Sequence, residues 1–88
     1  MPVTVTLRFF AAARAATGLD EIVCVSPAEP TIAELVAELA PASGTDPAEL
    51  SAIIARSSFL VNGVSTRDHS TRVAPGAVVD VMPPFAGG

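Results

Sequence analysis

The stretch Val3-Thr4-Val5-Thr6-Leu7-Arg8-Phe9 alternates strictly between apolar and polar side chains. A period of two places successive side chains on opposite faces of an extended chain. Val3, Val5, Leu7 and Phe9 then share one face, and Thr4, Thr6 and Arg8 the other. β-Branched residues suit a pleated, half-buried surface, so the stretch predicts a strand with one face on a core. Its counterpart is Val78-Val79-Asp80-Val81-Met82. The Pro75-Gly76 turn feeds that run, and Pro83-Pro84 ends it by removing two successive amide donors.

Between these runs the signals change period. Alanine-rich residues Phe10 to Thr17 predict a short helical connection, with Gly18 suited to its end. Glu21 to Ser26 read as a second strand, and Pro27 and Pro30 stop its ladder. Thr31 and Glu34 stand at capping-box spacing, followed by Ile32, Leu35, Val36 and Leu39 at helical intervals. Pro41 is expected to end this main helix. A second, shorter helix starts at Asp46-Pro47-Ala48-Glu49, with Leu50, Ile53 and Ile54 as its apolar side. Phe59-Leu60-Val61 leads into Asn62-Gly63, a hairpin signal because both turn positions need positive φ. Val64 begins the return strand, and Thr66 to Arg72 read as a polar loop.

Strands before and after one principal helix predict an α+β roll, a mixed sheet packed on one main helix. Its first and last strands are expected to be central neighbours. Residues 1–82 are expected to form this single domain, and 83–88 an extended tail ending in Gly87-Gly88.

Composition narrows the function. Half of the 88 residues are apolar, enough for a modest core, yet no apolar run approaches the roughly 18 residues of a membrane span. No basic patch followed by an apolar stretch opens the chain, so no secretory signal is expected. A single cysteine, Cys24, builds no disulfide framework and fits a reducing cytoplasm. Net charge is −4, and the five cations are Arg8, Arg14, Arg56, Arg67 and Arg72, with no lysine. Nucleic acid is an unsuitable partner for a chain without grouped cations. Neither nucleic acid nor a membrane is therefore expected as a partner.

Side chains offer little catalysis. No Gly-rich phosphate loop and no His/Cys cluster at metal-ligand spacing is present, so neither a bound metal nor a bound cofactor is expected. His69, beside Asp68, Ser70 and Thr71, reads as an exposed loop histidine. Cys24, inside an apolar strand, reads as a buried and inert thiol.

Chemistry is concentrated instead in Met82-Pro83-Pro84-Phe85-Ala86-Gly87-Gly88. Two prolines stiffen the exit from the last strand. Side-chain size then falls from Phe85 through Ala86 to two glycines, leaving a tip without Cβ atoms. Six residues beyond Met82 reach roughly 20 Å when extended. A stiff base with a thin tip suits insertion into another protein's narrow active site, with the Gly88 carboxylate free to react. Met82 and Phe10 are apolar residues expected on the outer face near the tail root, where they would form a docking patch.

Leu60-Val61-Asn62-Gly63, Ala74-Pro75-Gly76 with its Val-rich strand, and Pro83-Pro84-Phe85-Ala86-Gly87-Gly88 resemble the small subunit of molybdopterin synthase, the MoaD family. Arg8-Phe9-Phe10-Ala11, Arg14 and Gly18 match that family's opening. Ala77 departs from it, standing where Asp is common, and is expected to weaken a turn hydrogen bond. The resemblance implies a ubiquitin-like β-grasp fold. It further implies that an E1-like adenylating enzyme uses ATP to activate Gly88 and that a thiocarboxylate forms there. Partner contacts are implied for Gly87, Ala86, Phe85, Pro84, Met82 and Phe10. The large synthase subunit, expected in a heterotetramer, would hold most of the active site and receive sulfur for a pterin precursor. Carriers serving thiazole, cysteine or transfer-RNA thiolation share the tail chemistry, and a passive ubiquitin-like module shares only the fold.

Overall fold

A computed structural model describes residues 2–84. Five strands form one sheet in the order β2-β1-β5-β3-β4. They are β1 (Val3–Phe9), β2 (Glu21–Ser26), β3 (Ser58–Val61), β4 (Val64–Thr66) and β5 (Val78–Met82). Three helices complete the fold: α1 (Ala11–Thr17), α2 (Ile32–Ala37) and α3 (Pro47–Arg56). The strands at the two ends of the described chain are central neighbours: β1 and β5 run parallel, with Leu7 opposite Val79 and Phe9 opposite Val81. All other strand pairs are antiparallel.

Alternation decides what is buried. Val3, Val5, Leu7 and Phe9 of β1 join Phe59, Val79 and Val81 in the core, closed by Ala13, Ala16, Ile32, Leu35, Leu50, Ile53 and Ile54 from the helices. Leu7, Phe59, Val79 and Val81 are wholly inaccessible. Burying side chains of this size contributes about 1.5–3 kcal/mol each. Thr17 and Ser57 enter the interior by bonding the carbonyls of Ala13 and Ile53, at 2.9 and 2.8 Å. Every buried side-chain polar atom among the described residues has a partner.

Turn chemistry sets the connections. Asn62 (φ 48°) and Gly63 (φ 86°) both take positive φ between β3 and β4. The Asn62 amide donates to the Val78 carbonyl, and its side-chain oxygen accepts from the Val78 amide, each at 2.9 Å. One turn residue therefore fastens the hairpin to the start of β5. Gly76 (φ 79°) completes the Ala74–Ala77 turn, whose Ala77 N–H to Ala74 carbonyl bond measures 3.2 Å. Ala77 keeps that bond and is itself buried, which an aspartate there would not tolerate without a partner.

Helix lengths differ from expectation. α2 stops at Ala37, a full turn before Pro41, and α3, with 10 residues against 6, is the longer helix. Pro41 cannot stand in a helix that continues past Ala37, because its ring would strike the Ala37 carbonyl; Ala40 before it is also pushed out of the helical region. Among the described residues no helix is long and apolar enough to cross a membrane.

The start of α2 is held from several directions. The Thr31 hydroxyl accepts from the Glu34 amide at 3.1 Å, and the Glu34 carboxylate accepts from the Thr31 amide at 2.9 Å. The next two amides donate to the loop before β5, Ile32 to the Thr71 carbonyl at 3.0 Å and Ala33 to the His69 carbonyl at 2.9 Å. All the free amides of the first turn are thus satisfied. These bonds hold the Glu34 carboxyl below its ordinary pKa. A depressed carboxylate stabilises the fold above its unfolded pKa, and that contribution is lost as pH falls through the folded value. Thr31→Ala is expected to cost about 1 kcal/mol, roughly 4–8 °C in Tm for a domain of this size, measured by thermal denaturation at pH 7. Glu34→Gln should keep part of the cap while flattening the fall in Tm on acidification below about pH 4.

Candidate functional site

β5 delivers the tail. Its side chains alternate, with Val79 and Val81 in the core and Val78, Asp80 and Met82 half-buried on the opposite face. Met82 pairs with Ser58 and Asp80 with Leu60 across the β3 ladder, and Asp80 with Arg8 across the β1 ladder. Pro83 is half-buried and Pro84 exposed directly beyond the strand. Phe85, Ala86, Gly87 and Gly88 lie outside the described residues.

A built cluster stands beside this root. The Arg8 guanidinium donates twice to Asp80, Nε to Oδ1 at 2.6 Å and Nη2 to Oδ2 at 2.9 Å. A two-bond fork of this kind fixes both side chains in direction as well as distance. The same guanidinium lies 5.8 Å from the centroid of the Phe10 ring, within cation–π range. Asp80, through its hydrogen bonds and charge, raises the Arg8 pKa above its already high ordinary value. Phe10 precedes Ala11, whose φ of 50° breaks the strand geometry and turns the chain into α1. The ring is 38% exposed, whereas Met82 is half-buried rather than open to solvent.

Phe10 and Met82 therefore lie beyond the last ladder partners, Phe9 and Val81, with the Arg8–Asp80 ion pair one outward-facing position earlier on the same two strands. The patch is less apolar than the two residues alone suggested. Arg8 and Asp80 were legible as facing outward, but their pairing depends on strand order, which alternation does not reveal. Arg14 bonds Asp20 across the α1–β2 turn, and both are exposed.

Two other residues sit differently from their sequence reading. Cys24 is half-buried, not buried, because β2 is an edge strand that the helices cover only in part. Burial, followed by the charge of Glu38, raises its thiol pKa, which keeps it protonated and unreactive at neutral pH. His69 is half-buried, not exposed: its ring meets Phe59 edge-on at 5.2 Å and 88°. Among the described residues no group of acidic, His and Cys side chains is placed to hold a metal ion.

A mixed five-stranded sheet with parallel β1 and β5 at its centre and helices on one face defines a ubiquitin-like β-grasp domain, the fold of the ThiS/MoaD-like sulfur carriers. The ThiS family model matches residues 7–88, and the chain belongs to that family. Similar solved structures share the fold. SAMP1 from Haloferax volcanii superimposes with a TM-score of 0.72 at 18% identity, over 97% of this chain and 99% of that one. The HVO 2177 protein of the same organism gives 0.71 at 24%, over 99% and 88%. A complex of subunits 1 and 2 of molybdopterin-converting factor from Helicobacter pylori gives 0.62 at 20%, over 97% and 99%. No curated protein sequence matches significantly.

His69 should act in stability and not in chemistry. His69→Ala is expected to lose about 0.5–1.5 kcal/mol from the edge-on pair, read as a lower Tm, without altering any reaction of the tail.

Proposed function

We propose that this protein is the sulfur-carrier subunit of a molybdopterin synthase. The observation that carries the reading is the family match running through residue 88, onto a tail that narrows from Pro83-Pro84-Phe85 to Gly87-Gly88. In this reading the Gly88 carboxylate attacks ATP bound to an E1-like adenylating enzyme, and pyrophosphate leaves. A sulfur nucleophile then displaces AMP from the acyl-adenylate, and the product is a thiocarboxylate. Adenylation converts a poor acyl electrophile into a good one, and the resulting acyl-sulfur anion is a strong nucleophile. It gives its sulfur to a pterin precursor in the cytoplasm, and water restores the carboxylate.

The larger partner supplies acid–base groups, since Asp80, the carboxylate beside the described tail root, is committed to Arg8. The complex of subunits 1 and 2 from Helicobacter pylori supports such a partner, and the double proline before Phe85 supports the pterin acceptor. Phe10, Met82 and Pro84 would form the docking side, with Phe85, Ala86 and Gly87 threading toward the reaction. The likeness to SAMP1 favours a second reading, a carrier with the same tail chemistry and another acceptor, such as thiazole, cysteine or transfer RNA.

With ATP, a cognate adenylating enzyme and a sulfur source, the C-terminal peptide should gain one oxygen-to-sulfur exchange by intact-mass measurement. An unchanged mass under conditions that modify a known carrier excludes the proposal. Deleting Gly88 leaves the reacting end about 3.5 Å short, and product formation should fall by about 100-fold or more while Tm and affinity for the large subunit hold. Met82→Asp should do the reverse, weakening association measured by calorimetry while adenylation persists. Transfer to a pterin precursor but not to a thiazole precursor separates the two readings.

A further inference from the structure

The two edges of the sheet are guarded differently. β4 is 3 residues long, too short to template another strand. β2 has 6 residues in unbroken register with β1 and no strand on its other side among the described residues. Natural sheets blunt such edges by shortness, a bulge, proline or charged side chains. Glu21–Ser26 has no bulge or proline and carries a charge only at its first residue, Glu21. Val23 and Val25 are instead 56% and 66% exposed on the outer face, and alternate residues turn their N–H and C=O groups outward.

Along this free edge, between β2 and α2, runs a cleft of about 350 Å³. Cys24 and Leu35 form its apolar floor, and Glu29, Glu34 and Glu38 line it with a single cation, Arg72. Glu34 is committed to the cap of α2, and Arg72 donates to the Glu29 carbonyl at 3.1 Å. Glu38 is exposed, lines the cleft close enough for its charge to be felt at Cys24, and has no ion-pair partner among the described residues.

We propose that β2 is a strand-addition site for an extended, basic segment of a partner protein. The segment pairs its backbone with Glu21–Ser26. Side chains on one of its faces lie beside Val23 and Val25, and those on the other enter the cleft, where a Lys or Arg meets Glu38. A second copy of this chain is the other candidate occupant, and charge decides against it. Pairing two β2 strands with helices on the same face would bring the two acidic clefts together, on chains of net charge −4. This site does not depend on the tail.

The test uses the full ¹⁵N-labelled chain and two capped synthetic hexapeptides, alternating Lys-Val and alternating Glu-Val. The Lys-Val peptide should shift the amides of residues 21–26 and slow their hydrogen exchange, with the Glu-Val peptide weaker by about tenfold or more. Val25→Lys and Glu38→Lys, both at exposed positions, should each weaken Lys-Val binding by about fivefold or more while leaving the remaining spectrum unchanged. Deleting Gly88 should leave that affinity intact. Equal affinity for the two peptides, shifts confined to the face around Arg8 and Asp80, or an unaffected Glu38→Lys variant would overturn the proposal. So would a dimer in sedimentation that Val25→Lys abolishes, since the edge would then belong to a second copy.

Discussion

Parallel pairing of β1 with β5 holds this molecule together. Parallel strands cannot be joined by a tight turn, so everything between residues 9 and 78 is the connection that brings β5 alongside β1. The helices cover the inner face of that pair, and the hairpin of β3 and β4 extends it outward from β5. Leu7, Phe9, Val79 and Val81 meet across the junction and are all essentially inaccessible. A strand paired on both sides is difficult to displace. β5 therefore gives the residues that follow it a rigid starting point, which Pro83-Pro84 extends.

The outer face of the same pair carries polar chemistry in a similarly exact register. Arg8 and Asp80 are ladder partners, so their two hydrogen bonds report that β1 and β5 have paired correctly. A slip of one residue would turn one of the charges into the apolar core, where an unpaired ion is costly. The ion pair is partly exposed and contributes little bulk stability. Its value lies in specifying alignment, and in orienting the Phe10 ring beside the strand from which the tail departs.

Local signals in the sequence were sufficient for most of the fold. The alternation of β1, the capping box at Thr31 and Glu34, and the positive-φ pair Asn62-Gly63 each act through near neighbours, and each appears where it was read. What escaped depends on distant residues. Cys24 and its neighbours look like a core strand because apolar composition does not distinguish an edge from a centre. His69 looks like a loop residue because nothing local places Phe59 beneath it. Pro41 marks a helix end, but its exclusion of the preceding turn shortens α2 further than its position suggests. On the outer face, Phe10 and Met82 were legible as candidates, while the neighbouring Arg8–Asp80 pair needed the strand order. Gly87-Gly88 was legible only through residue type, and both residues lie outside the described ones.

Strand order also bears on how the chain is made. The sheet's centre is supplied by residues 78–82, so a ribosome-bound chain that has exposed only β1 and β2 holds a hairpin without its core. Such long-range closure is slow compared with local pairing, and it cannot begin before Met82 leaves the exit tunnel. Synthesis and folding are consequently uncoupled for most of translation. A chain broken off early would lack its middle strand and be open to proteolysis. Only polypeptides that have been read through β5 can complete the sheet and become compact.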